Sequence, residues 1–67
     1  MKIIFDSKND VMRIKFQDGK YEISKEVDDG IIFDMTKDNK IMAIEILNAS
    51  EKIPMSEMKK IAVSTAN

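Results

Sequence analysis

An α+β fold, built as a five-stranded antiparallel β-meander followed by a short C-terminal helical segment, is predicted by three observations. Apolar and polar residues alternate with period two over the first three quarters of the chain. Turn-forming residues interrupt that alternation at short intervals, and beyond Leu47 the apolar spacing becomes helical. Strands joined by such short turns pair as antiparallel neighbours, which makes a meander the simplest topology.

Taken in order, Ile3 and Phe5 form a short first strand ahead of a loop from Asp6 to Asp10. In the second strand Met12, Ile14 and Phe16 alternate with Arg13 and Lys15. Asp18-Gly19 follows, a pair that tolerates the positive φ of a type I′ turn, so the second strand is expected to pair with the third. The third carries Tyr21, Ile23, Lys25 and Val27 on one side, Glu22, Ser24 and Glu26 on the other, and ends at Asp28-Asp29-Gly30. Ile31, Phe33 and Met35 then alternate with Ile32, Asp34 and Thr36 as far as a turn at Lys37-Asp38-Asn39-Lys40. The fifth strand, residues 41 to 47, sets Met42, Ile44 and Ile46 on one face and Ile41, Ala43, Glu45 and Leu47 on the other.

Asn48-Ala49-Ser50-Glu51 has the spacing of a capping box and predicts a helical turn. Pro54 limits that turn, and Ser56 can cap a second segment in which Met58, Ile61 and Ala62 fall at helical spacing. Val63-Ser64-Thr65 favours helix poorly, so a frayed end is expected. The chain thus reads as a β-meander domain with a terminal helical turn over residues 1–53, then a C-terminal helix and frayed tail over 54–67.

Composition narrows the function. The 67 residues include no cysteine and no histidine, which removes disulfides, thiolate or imidazole metal ligands and histidine-based catalysis. A net charge of -1 disfavours a nucleic-acid partner, and the opening Met1-Lys2-Ile3-Ile4-Phe5-Asp6 is too short in apolar residues for a signal core or a membrane span. A cytoplasmic protein without a membrane partner is expected. The charge is uneven, being +2 over residues 1–25, -5 over 26–51 and +2 over 52–67. Glu26, Asp28, Asp29, Asp34, Asp38, Glu45 and Glu51 make that acidic band, either a solvated face or a surface for a basic protein. The candidate interaction surface is Glu26, Asp28, Asp29, Asp34 and Glu45.

Carboxylates are the only groups numerous enough for catalysis or metal binding. Asp28-Asp29-Gly30 with Glu26 before it can offer oxygens to a hard cation, but turn chemistry explains the same residues. Counting outward from the 38–39 turn pairs 34 with 43 and 32 with 45, so Asp34 and Glu45 are diagonal neighbours on one face. Such a pair can share a proton with one pKa raised, or can be two solvated acids flanked by Lys37 or by basic side chains of the second strand. No catalytic, cofactor-binding or metal-binding residue is assigned, and no cofactor is expected. Most of the six methionines, Tyr21 and the three phenylalanines fall at positions expected to pack inward. One short helix cannot cover a sheet roughly 20 Å wide, which predicts a homodimer; a twisted sheet partly closing on itself is the alternative.

Three segments, Phe5-Asp6 with Asp10, residues 26–34 and residues 44–50, together resemble a family of small prokaryotic proteins known only as domain of unknown function 2283. The resemblance covers about residues 2 to 53 and departs at Asn39 and Ala43, where glycine would be expected. It implies no activity, substrate or cofactor, and it implies small toxin-like partners. The leading expectation is a noncatalytic protein-interaction module acting as a homodimer. The others are an antitoxin-like neutraliser of a basic nuclease toxin and a carboxylate-based metal-dependent enzyme using Asp28, Asp34 and Glu45.

Overall fold

The computed structural model describes the backbone of residues 1–65 and the side chains of residues 1–60. Five strands, β1 (Lys2–Asp6), β2 (Val11–Lys15), β3 (Ile23–Asp28), β4 (Ile31–Met35) and β5 (Ile41–Leu47), precede helices α1 (Ala49–Lys52) and α2 (Met55–Thr65). All five strands join one antiparallel sheet, so the predicted α+β class and the element order hold.

The strand order is β1-β2-β5-β4-β3, which corrects the simple meander. β2 pairs with β5 rather than with β3, and β2 to β5 form a Greek key. Apolarity decides this. β5 carries an apolar residue at six of its seven positions and suits the central place, flanked on both sides. β3, with Ser24, Lys25, Glu26 and Asp28, is exposed throughout and suits an edge. Asp18-Gly19 therefore makes no tight hairpin. Gly19 has φ 130, and a Cβ there would stand 3.1 Å from Met42 Cε, so glycine lets the 16–22 loop pack over Met42. Tyr21 lies in that loop and is half-exposed rather than packed inward, and Phe16 is exposed likewise.

The other turns keep their places. Asp28 pairs with Ile31 across Asp29-Gly30, and Gly30 has φ 70. Asp34 stands opposite Ala43 and Ile32 opposite Glu45, as counted from the sequence. A register shift after Asp34 and Asn39 at φ 66 then give a three-residue turn with a bulge. In the first loop the Asp6 carboxylate accepts from the Lys8 and Asn9 amides and from Asn9 Nδ2, which holds its pKa below the usual range, the Asn9 side-chain bond most of all.

The core lies on one face. Met12, Ala49 and Met58 are buried together, with Ile3, Phe5, Ile14, Ile46 and Ile53 packed against them, so the helices cover the β1-β2-β5 side. Of the methionines expected inside, Met12, Met42 and Met58 are buried. Asn48 makes no capping box: it adopts φ 51 and its side chain caps nothing. The cap comes instead from Asp10, forty residues away. Its carbonyl accepts from the Ala49 amide at 2.9 Å, and its carboxylate takes the Ser50 amide at 3.0 Å and the Ser50 hydroxyl at 2.6 Å. α2 starts on Pro54, whose carbonyl accepts from Glu57 and Met58, leaving Ser56 inside the first turn. Its helical backbone runs through Thr65; the side chains of Ile61 and Ala62 and the final residues of the expected tail lie outside the described residues. No described helix is long and apolar enough to cross a membrane.

Candidate functional site

Alternation along β2 turns Arg13 away from the Met12 core, and pairing then carries a polar row across four strands. Arg13 stands opposite Glu45 on β5, Glu45 opposite Ile32 on β4, and Asp34 opposite Ser24 on β3. Asp34 is fully buried, and is the one buried polar side chain among the described residues. Its Oδ1 accepts from Ser24 Oγ at 2.8 Å, and its Oδ2 lies 3.5 Å from Arg13 Nη2. The Tyr21 ring stacks over the Arg13 guanidinium, 5.8 Å from centroid to Cζ. Arg13 Nε is buried without a partner.

Glu45 completes the row. A hydrogen bond with Asp34 pushes its pKa up, burial and the Asp34 charge push the same way, and Arg13 partly opposes them. Asp34 and Glu45 are diagonal neighbours as counted from the sequence, and the flanking cation is Arg13 of the second strand. Chemically the row sets one guanidinium beside two carboxyl groups.

The five residues expected to form one surface divide into two groups. Glu26, Asp28 and Asp29 sit exposed at the β3-β4 turn, where Glu26 Oε2 accepts from the Gly30 amide and Asp28 Oδ1 from the Asp29 amide. Asp34 and Glu45 belong to the polar row, and Asp34 offers no surface in the single chain. Asp28 stands four residues along β3 from Ser24, the partner of Asp34, or roughly 13 Å at the strand rise. Asp28, Asp34 and Glu45 therefore do not converge, and among the described residues no three acidic groups could hold a metal ion. A shallow hollow of about 220 Å³, lined by Met1, Lys2, Lys15, Phe16, Gln17 and Asp18, includes none of the row. Sequence reasoning took Asp10 as the end of the first loop and missed it as the helix cap.

Comparison with known proteins places residues 2–50 in one family, described as a protein of unknown function (DUF2283). No curated protein and no solved structure gives a significant match. The chain belongs to this family, whose matched span holds the whole sheet, the polar row and the Asp10–Ser50 clasp, and ends before α2.

Proposed function

We propose that this member of the family is a noncatalytic protein-interaction module that acts in the cytoplasm as a homodimer and offers its acidic turn to a basic protein. The observation that carries the reading is surface left uncovered. Among the described residues only Met12, Met42, Ala43, Ala49 and Met58 form the buried apolar core, while Ile4, Phe16, Ile23, Val27 and Ile41 remain exposed. A second copy supplies the missing cover.

Glu26, Asp28 and Asp29 support the second half of the proposal. All three are exposed, and none forms an ion pair with a described residue, so a cationic surface can approach them without displacing one. An antitoxin-like neutraliser of a basic nuclease is a narrower form of the same reading. Sedimentation equilibrium at micromolar concentration tests the dimer, and a single 7.7 kDa species would refute it. Pull-down from native cell extract tests the partner: a basic protein held at low salt, released at high salt and lost on Asp28→Lys is expected, whereas a partner retained by Asp28→Lys would contradict the acidic turn.

A further inference from the structure

We infer that the second copy pairs along the free edge of β1, joining two sheets into one of ten strands. The inference rests on the homodimer reading and names its surface. β1 and β3 are the two edges of the sheet, and each presents a row of unpaired backbone groups to which another strand can add.

Symmetry limits how either edge can pair with itself. Two identical strands related by a two-fold axis normal to the sheet keep the same face upward. Directly opposed residues must then have numbers of the same parity, and the axis must pass midway between one residue and its own copy. For the five residues of β1, full overlap centres on Ile4. That register sets Ile4 against Ile4, Ile3 against Phe5, and Lys2 against Asp6 of the second copy. Every pair is apolar with apolar or opposite in charge.

β3 fails the same construction. Its six residues have their midpoint between Lys25 and Glu26, where no axis can pass. Centring on Lys25 opposes two lysines, and centring on Glu26 opposes two glutamates. The register shift between Glu26 and Asp28 further breaks the edge. β1 pairs with β2 without any shift, and among the described residues no hydrogen bond from another element reaches its outer side. Ile4 is 39% exposed.

Met58 packs in the cluster that includes Met12 and Ile14 of β2 as well as Ile3 and Phe5 of β1, and α2 lies against β1 on the face opposite Ile4. Both ends of the ten-stranded sheet are then β3, whose two most nearly centred registers oppose like charges, so growth is disfavoured beyond the dimer.

Sedimentation equilibrium on the wild type, Ile4→Lys and Lys2→Glu, with circular dichroism to confirm folding, tests the inference. Ile4→Lys sets like charges on the axis and is expected to weaken the dimer about tenfold or more, with Lys2→Glu weakening it less. A Lys25→Glu variant on β3 should leave it unchanged. A wild-type dimer that survives both β1 substitutions, or that Lys25→Glu dissociates, overturns the β1 edge and leaves the homodimer standing. A monomeric wild type overturns both.

Discussion

The two ends of the sheet are held by different forces. At the β1 end the strands lie under α2 and an apolar core of Met12, Met58, Ala49, Ile3 and Phe5. At the β3 end the strand is exposed throughout, and Asp34 fastens it by bonding Ser24 on one side and Arg13 on the other. The helix-covered end has a regular outer edge, the one proposed to pair with its own copy, while the polar end carries charges and a bulge. A chain this short buries only about 60% of its unfolded surface. It can cover one end well and must close the other by polar bonding and charge.

The sharpest way to break this contrast is to cut each fastening. Asp34→Ala leaves Arg13 Nη2 and the Ser24 hydroxyl without their acceptor, two hydrogen bonds to a charged group, and should cost about 3 kcal/mol in urea unfolding. A loss under about 1 kcal/mol would mean the row does not hold β3. Met58→Ala at the other end should cost about 3 kcal/mol by leaving a cavity beside Met12. Its distinguishing readout is hydrogen exchange, with β1 amides accelerated more than those of β3.

Smaller effects sharpen the comparison. Asp10→Ala strips the cap from α1 while leaving the sheet register intact, and should lower stability by about 1 to 2 kcal/mol. Asn48→Ala removes no side-chain cap, so its loss should be clearly smaller than that of Asp10→Ala. Glu45 gives the β3 end a pH dependence. Its native pKa is raised, so the folded chain holds the proton more tightly than the unfolded one. The resulting stability is complete below the ordinary glutamate range and is lost as the pH rises through the native value. From about pH 4 to pH 7 the wild type should therefore lose stability relative to Glu45→Gln; parallel curves would contradict a raised Glu45 pKa. Least of all, millimolar magnesium, calcium or manganese should leave the melting temperature unchanged, because Arg13 occupies the place beside Asp34 that a cation would need.

Local pattern made much of this legible. Period-two alternation located the strands, and turn counting placed Asp34 diagonal to Glu45, because both are set by residues near in sequence. What escaped the sequence was long-range choice. Pairing β2 with β5 instead of β3 depends on which strand best tolerates flanking on both sides, a competition that no local window contains. Asp10 capping a helix forty residues away escaped for the same reason, while the nearer Asn48 looked sufficient. Asp34 read as part of an acidic surface until Arg13 and Ser24 were seen to enclose it.

Hydrogen exchange along the two edges, followed as a function of protein concentration, tests the central claim most directly. The β1 amides not bonded to β2 should become protected as concentration rises through the dimer range, while the outward amides of β3 exchange equally fast throughout. Protection that grows on β3, or a β1 edge that stays unprotected in a proven dimer, would contradict the account.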